Sequence, residues 1–469
     1  MATEVTAAVG LRSERGPILA AIMLANSLVA LDSTIIATAV LTITKQLGGF
    51  AQFPWLFSIY LLAQAVTVPI YGKLADMVGR KPIILFGIAT FAAGSLLCGL
   101  ATNMVALIAF RAIQGIGAGA VSPISMTIAG DIYTLRERAK VQGYIASVYA
   151  ISSVVGPLLG GVFSEYVSWR WIFLINLPLS ALAAWMIYRW FTESAPRQRH
   201  QIDYLGAGLL TAAAGALILG LLEGGQAWAW TSPTSIALFT GGVVGLLAFG
   251  RCERRAANPI LPLWIFTRRI VVASSSVALL VGAVLLGLTT YVATFAQGVL
   301  GSGALIAGLT AATLTLGWPV AASQAGKIYL RIGFRKTALI GSSLATLGAG
   351  SLILVHEGST LPQLAASCFV VGLGLGMIAT PTLIAAQIST EWAERGVVTS
   401  TNMFARNIGS AVGVAIFGAV VNSHTGHSPH PAPAALASAA HVVFTAVAAL
   451  ALIMVIASAM MPAHGRQAD

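Results

Sequence analysis

Charged residues are scarce in this sequence. Only 9% of its 469 residues are Asp, Glu, Lys or Arg, while 57% are hydrophobic and the mean hydropathy is +0.86. Because a soluble domain carries about 25% charged residues, this composition excludes an ordinary water-exposed enzyme or binding domain. Cysteine is also scarce, and Cys98, Cys252 and Cys368 form no disulfide framework and no metal-ligand spacing.

The motifs of several function classes are missing as well. The sequence contains no HEXXH, no Asp-rich metal motif and no phosphate-cradling loop, which leaves a membrane-embedded transferase only as a remote alternative. His424, His427 and His430 lie in a proline-containing loop, where helical metal-ligand spacing is not expected. No basic patch is interleaved with aromatic residues. We therefore expect no enzyme activity, no metal, no cofactor and no nucleic-acid partner.

Apolar runs of about 20 residues occur along the whole chain, and each is long enough to cross about 30 Å of hydrocarbon as a helix. Helices are expected because each spanning segment must satisfy its own backbone polar groups. The sequence therefore predicts an all-α integral membrane protein with fourteen transmembrane helices. The runs lie at about 17–41, 53–73, 82–101, 104–130, 139–164, 171–191, 204–222, 234–251, 270–297, 304–327, 336–355, 362–388, 397–421 and 436–461.

The placement of basic residues predicts the orientation. If the N-terminus is inside, the cytoplasmic segments hold 22 Lys and Arg, and the outer segments hold two, Lys45 and Arg170. This asymmetry is a strong positive-inside signal, and it accounts for the net charge of +11. We expect an uncleaved first span and both termini on the cytoplasmic side of the cytoplasmic (inner) cell membrane.

One charged motif occurs twice. "GKLADMVGRK", residues 72–81, follows the second run, and "GKIYLRIGFRK", residues 326–336, follows the tenth. The second copy has Leu330 where the first has Asp76. Repeated halves are typical of secondary transporters. The repeat predicts a six-helix lobe at 1–191, an inserted helix pair with an interfacial linker at 192–269, and a second six-helix lobe at 270–469.

Five motifs in order carry a family resemblance: "LDSTIIATAV", "GKLADMVGRK", "RAIQGIGAG", "GPLLGG" and "WRWIFLINLP". With them the chain resembles the major facilitator superfamily, and within it the fourteen-span drug:proton antiporters of the EmrB/QacA type. The resemblance implies two six-helix lobes around a cavity, and export of a lipophilic compound driven by proton entry. It also implies a monomer whose partners are its substrate, protons and membrane lipids.

Asp32 is the predicted proton-carrying group. It lies 15 positions into its run, which is about 23 Å along a helix and in the outer half of the bilayer. A carboxylate at that depth requires a partner, water or a proton. Arg111 reaches the same layer from the outer side, and Gln114 shares its helix face. The predicted substrate cavity comprises Asn26, Tyr60, Gln64, Gln114 and Arg406, of which Arg406 could equally be structural.

The first charged motif predicts a cytoplasmic latch. Its glycines permit a tight turn, Asp76 can cap a helix N-terminus, and Arg80 can pair with Asp131 on the same membrane face. The resemblance implies that this latch closes the cytoplasmic side when the two lobes meet. Its predicted members are Gly72, Asp76, Gly79, Arg80, Lys81 and Asp131.

"GPLLGG" contributes Gly156, Pro157, Gly160 and Gly161. Proline is expected to kink this helix, the glycines to admit a neighbouring helix, and the resemblance makes the segment an antiporter motif. Leu41 stands where such relatives have proline, which predicts a straighter outer end of the first span.

The charge count predicts a monovalent cationic or neutral substrate. Asp32 is the one acid deep in the runs, and Glu223 is expected at the outer surface. A dedicated exporter of a native metabolite, lipid or siderophore remains the closest alternative.

Overall fold

The structure, a computed structural model, describes residues 10–36, 39–48, 55–193, 203–225, 227–256, 259–425 and 432–462. Within these ranges the regular secondary structure is helical apart from one isolated bridge between Gly224 and Trp228. The α-helices are α1 (Gly16–Ile35), α2 (Val40–Leu47), α3 (Trp55–Val78), α4 (Arg80–Gly99), α5 (Met104–Ile132), α6 (Leu135–Val162), α7 (Trp171–Leu174), α8 (Asn176–Trp190), α9 (Tyr204–Glu223), α10 (Pro233–Glu253), α11 (Arg269–Gly298), α12 (Ala304–Ile332), α13 (Phe334–Ile353), α14 (Leu361–Ile388), α15 (Arg395–Thr425) and α16 (Pro433–Ala459).

The described part of the chain contains 13 helical segments long and apolar enough to cross a membrane. The prediction of an all-helical, multi-span chain is confirmed. The remaining predicted run, 336–355, forms α13, which has Arg335 and Lys336 in its first turn and is rich in glycine, serine and threonine. Those residues lower its hydropathy, so a fourteenth span stays a prediction, although α13 packs against α14 and α16.

The helices pack into two bundles, a first bundle of α1, α3, α4, α5, α6 and α8 and a second bundle of α11 to α16. The two bundles repeat one packing detail. In the first bundle a Cβ on Gly117 would lie 2.7 Å from the carbonyl oxygen of Gly87. In the second bundle a Cβ on Gly374 would lie 2.6 Å from the carbonyl oxygen of Gly341. Both contacts join helices that follow the repeated charged motif, α4 with α5 and α13 with α14, and small residues allow this close backbone approach.

The bundles meet along two helix pairs, α3 with α15 and α6 with α12. Helix α9 packs on both α3 and α15, while α10 packs chiefly on α9. The linker after α10 buries Ile260, Leu261 and Ile265 in the same apolar cluster as α9. Phe266 is 63% exposed, so this linker is amphipathic, as expected for a segment at a membrane interface.

The described residues do not test whether the outer end of the first span is straighter than in relatives, so this stays a prediction. Helix α1 ends at Ile35 and a separate helix begins at Val40; positions 37 and 38 lie outside the described residues. The hydroxyls of Ser33 and Thr34 donate to the carbonyl of Ala30 at 2.8 and 3.2 Å. Such side-chain bonds compete with helical hydrogen bonds, and the β-branched residues that follow further weaken the helix.

Candidate functional site

Asp32 and Arg111 form a buried ion pair between α1 and α5. The Arg111 Nη1 donates to Asp32 Oδ2 at 2.5 Å. The side chains are 0% and 1% exposed, respectively. Two charges are stable at such a position only when each has a partner, because the loss of either leaves an uncompensated buried charge. The sequence predicted this pairing from depth along each helix.

Polar side chains from three helices complete the surroundings of Asp32. Gln114 Nε2 donates to Asp32 Oδ1 at 2.7 Å and to Ser95 Oγ at 2.8 Å. The Gln114 Oε1 accepts from Arg111 Nη1 at 2.7 Å. Asn176 Nδ2 lies 3.4 Å from Asp32 Oδ1 and 3.3 Å from Ser95 Oγ. Sequence reasoning missed Ser95 and Asn176, although each is a polar residue inside an apolar run.

Tyr60 and Leu56 of α3 contact the guanidinium of Arg111. The Arg111 Cζ lies 4.1 Å from the Tyr60 ring centroid, and Nε donates to the Leu56 carbonyl at 3.1 Å. A cation over a desolvated aromatic face is stabilised by about 2 kcal/mol. Arg111 therefore has neutral partners besides Asp32, and these offset part of the cost of a buried guanidinium when the carboxylate is protonated.

The charged motif after α3 turns through Gly79, whose φ of 109° is a conformation that L residues rarely adopt. At Gly72 an added Cβ would lie 2.7 Å from the Gly396 carbonyl oxygen and would overlap Ser400. Glycine at position 72 therefore allows α3 to approach α15 closely. Glycine at position 79 allows the chain to turn so that α4 begins at the next residue, Arg80.

Arg80 lies at the centre of the motif and is fully buried. Its guanidinium is 2.8 Å from Asp76 and 3.1 Å from Asp131. It also covers the Trp392 ring, 3.5 Å from the centroid, and donates to the Trp392 carbonyl at 2.8 Å. Trp392 precedes α15, so Arg80 joins the two bundles.

Asp76 caps the first turn of α15 across the bundle interface. Its carboxylate accepts from the backbone N–H of Gly396 at 3.0 Å and of Val397 at 2.8 Å. Negative charge at a helix N-terminus is stabilised by the helix dipole and by the unpaired amides there. Asp131 adds a second link, since it lies 3.1 Å from Arg395 at the start of α15. Trp392, Arg395 and the amides of α15 were not predicted, because only the tertiary fold brings them to the motif.

Lys81 is the predicted latch member that does not cross the interface. Its Nζ donates to the Tyr188 carbonyl at 2.8 Å, within the first bundle. The backbone N–H groups of Arg80 and Lys81 donate to Glu193, at 2.8 and 3.2 Å. Glu193 therefore caps α4, and Lys81 fastens α4 to α8 rather than to the second bundle.

The "GPLLGG" segment lies in α6, which continues to Val162 and is followed by a π-helical turn at Phe163–Val167. A Cβ on Gly156 would overlap the hydroxyl of Thr34, so α1 and α6 approach closely there. Gly160 is buried, whereas a Cβ on Gly161 would meet nothing within 4 Å. The side chain of Pro157 lies outside the described residues.

A cavity of about 340 Å³ lies between the bundles, lined by α5 and α6 on one side and by α11, α12, α14 and α15 on the other. Of the five residues predicted for a substrate cavity, only Arg406 lines it. Tyr60 and Gln114 belong to the Asp32 surroundings. Asn26 is fully buried and bonded to the Ile22 carbonyl, and Gln64 is half-buried on α3 away from the lining.

Glu223 is not at the surface, so that expectation is wrong. It ends α9 but is 2% exposed, and its Oε1 has no hydrogen-bond partner among the described residues. The following loop folds back over it, with the Gly225 N–H donating to the Trp228 carbonyl at 2.8 Å. His424 is exposed at the end of α15, and His427 and His430 lie outside the described residues. No group of three metal-ligating side chains occurs in the parts of the chain that the structure covers.

Comparison with known proteins shows the family of this chain. Residues 22–414 match the profile of the Major Facilitator Superfamily. The chain belongs to the major facilitator superfamily. It is 34% identical to the multidrug transporter protein MdtP of Bacillus subtilis over 422 residues, covering 89% of this chain and 77% of that protein. It is 37% identical to multidrug resistance protein 3 of the same organism, covering 83% of this chain and 76% of that protein.

A fungal relative and two solved structures extend the comparison. The efflux pump dotC of Dothistroma septosporum is 35% identical, with 85% of this chain and 70% of that protein covered. The human organic anion transporter MFSD10 has a TM-score of 0.68 at 16% identity, covering 95% and 99% of the two chains. A bacterial ferroportin homologue has a TM-score of 0.65 at 12% identity, covering 94% and 97%. These structures confirm the fold of this superfamily member, a multi-pass membrane transporter.

Proposed function

We propose that this superfamily member is a proton-coupled antiporter of the fourteen-span EmrB/QacA type, which exports lipophilic compounds from the cytoplasm. The observation that carries the proton coupling is the buried Asp32–Arg111 pair. The multidrug and efflux functions named for its relatives support drug export. A dedicated exporter of a native metabolite, lipid or siderophore is the second candidate, because relatives at about 35% identity do not fix the substrate.

Proton exchange at Asp32 changes the charge of the site. When the carboxylate binds a proton that entered from outside, its attraction for Arg111 falls, and the guanidinium keeps Gln114, Tyr60 and the Leu56 carbonyl. When the proton leaves towards the cytoplasm, the ion pair forms again. Each step has a low free-energy cost only in the arrangement of the bundles that provides partners for the resulting charge state of Asp32 and Arg111. This requirement links protonation to conformation.

Asp76, Arg80 and Asp131 supply the cytoplasmic latch. In the present arrangement they hold the start of α15 against α3, so the cytoplasmic side is closed. Opening it separates the carboxylate of Asp76 from two backbone amides. We propose that the lobes at 1–191 and 270–469 rock against each other, with the pair at 192–269 on the outside, in a monomer whose termini are both cytoplasmic and which resides in the inner membrane.

The cavity changes the expectation for substrate charge. The sequence predicted a monovalent cation or a neutral compound, with Asp32 as the counter-charge. Asp32 is sealed inside the first bundle and does not line the cavity, whereas Arg406 does. This geometry provides no counter-charge for a cationic substrate and favours a lipophilic compound without positive charge.

Substrate-induced proton movement tests the coupling. We would reconstitute the protein in proteoliposomes containing a pH dye, add lipophilic cationic, neutral and anionic drugs, and compare wild type with Asp32→Asn. Glu165→Gln is the matched control, since Glu165 is an exposed acid near the outer end of α6. We expect proton movement in wild type and in the control, and none in Asp32→Asn. Normal proton movement in Asp32→Asn would overturn the assignment, and competition among unrelated drugs separates a multidrug exporter from a dedicated one.

A further inference from the structure

Arg406 is the only charged side chain among the described residues that line the central cavity. It lies 11 residues into α15, about 17 Å from the cytoplasmic end of that helix, and so near the middle of the bilayer. Most of the remaining lining is apolar, including Ile145, Leu285, Trp318 and Met403. The cavity is thus a lipophilic chamber with a single cation in its wall.

The guanidinium of Arg406 differs from those of Arg80, Arg111 and Arg395, the last of which lies 3.1 Å from Asp131. Arg80 and Arg111 are each paired with at least one carboxylate. Arg406 makes no side-chain hydrogen bond or ion pair with any described residue, and no acid lines the cavity. A desolvated cation without a partner is costly in a membrane interior. A bound anion would remove that cost.

The backbone at Arg406 is fixed by glycine packing. A Cβ on Gly282 of α11 would overlap the carbonyl oxygen of Arg406, and a Cβ on Gly409 would overlap the Leu279 carbonyl. On the cavity side, Asn402 and Ser410 lie one turn before and one turn after Arg406 and also line the chamber. Residues four apart share a helix face. The guanidinium therefore projects from a rigid helix face that is otherwise uncharged.

We propose that the central cavity binds amphipathic monoanions, molecules with a lipophilic body and one carboxylate or sulfonate group, and that Arg406 is the residue that binds the anionic group. This inference rests on the proposed export function and specifies its substrate class. A guanidinium fork matches the two oxygens of such a group, and charge-assisted bonds are the strong ones. The cavity of about 340 Å³ lies within the range of small-molecule sites, about 300–1,000 Å³.

Three fluorescent probes with one common body separate charge from lipophilicity. They are 11-(dansylamino)undecanoate, its neutral methyl ester, and the analogue in which a trimethylammonium group replaces the carboxylate. Binding to the purified full-length protein would be followed by dansyl fluorescence in detergent without a proton gradient. Because one charge-assisted bond corresponds to roughly tenfold or more in affinity, we expect the anion to bind at least about tenfold more tightly than the cation.

Three variants test whether Arg406 is the residue that binds the anionic group. In Arg406→Gln the preference for the anion should disappear, while the neutral ester binds as before. In Arg406→Lys the preference should persist in reduced form, because the charge remains but the fork is lost. Arg189→Gln is the matched control, since it makes the same change at an exposed arginine in the last turn of α8, outside the cavity lining, and it should leave all three affinities unchanged.

Each of the other outcomes overturns the proposal. Equal or tighter binding of the cation by wild type would do so, as would no binding of any probe. An equal loss of all three probes in Arg406→Gln would assign Arg406 a structural role instead. Because binding is measured without a gradient, failure here leaves the proton coupling through Asp32 untouched, and loss of proton movement in Asp32→Asn leaves the binding result intact.

Discussion

The latch between α3 and α15 allows a quantitative prediction for Asp76→Ala. The variant removes two hydrogen bonds from backbone amides to a charged acceptor, those of Gly396 and Val397. Each such bond contributes about 1.5–3 kcal/mol, so the closed state should weaken by about 3 kcal/mol or more, roughly 150-fold. A latch that closes 99 molecules in 100 would then close roughly 40 in 100.

The assay is labelling of a cysteine on the cytoplasmic half of the cavity. Leu383 lines the cavity five residues before the end of α14, which faces the cytoplasm in the proposed orientation, so Leu383→Cys is a suitable reporter. Cys98, Cys252 and Cys368 are first replaced. In inverted vesicles an impermeant maleimide should label the Asp76→Ala protein up to about 60-fold faster than the parent, in proportion to the open fraction.

Glu193→Gln is the matched control for this experiment. Glu193 accepts hydrogen bonds from the same charged motif, but its partners, the amides of Arg80 and Lys81, lie in the same bundle. Its substitution should leave the labelling rate unchanged. If Asp76→Ala labels no faster than Glu193→Gln, the contacts across the interface do not hold the cytoplasmic side closed.

Three further predictions concern stability and topology. Arg111→Leu leaves Asp32 buried without its cation and should lower stability by about 3 kcal/mol or more, read as a fall in the thermal unfolding midpoint in detergent. Gly409→Ala should also lower that midpoint, because its Cβ would overlap the Leu279 carbonyl, whereas Gly250→Ala should leave it unchanged or raise it slightly, since nothing lies within 4 Å there. A reporter fused after Asp469 should be active only in the cytoplasm, as the distribution of Lys and Arg predicts.

Each of these three predictions has an outcome that would contradict it. An Arg111→Leu protein as stable as the parent would mean that Asp32 is neutral or has another partner. Equal unfolding midpoints for Gly409→Ala and Gly250→Ala would mean that the close packing of α11 against α15 does not constrain the backbone at Arg406. A fused reporter active only outside would reverse the orientation.

The sequence by itself determined the features that are set by local composition. Apolar runs and the exclusion of charge predict the spanning helices, because a segment in hydrocarbon must be apolar and must satisfy its own backbone. The depth of Asp32 and of Arg111 along their helices also predicts that they share a layer, because helical rise is constant. The same reasoning placed Asp131 on the membrane face of Arg80, at a distance now seen to be 3.1 Å.

Only the tertiary structure decided which of the residues at the same membrane depth face one another. Depth gives one coordinate, and the direction in which a side chain points depends on helix packing, which residue spacing does not specify. The five residues assigned to one cavity are therefore divided, with Tyr60 and Gln114 turned towards Arg111 and only Arg406 facing the space between the bundles. The partners of Asp76 are amides 320 and 321 residues away. The proposed charge of the substrate follows from this division, because a buried carboxylate sealed within one bundle cannot neutralise a molecule that binds between two.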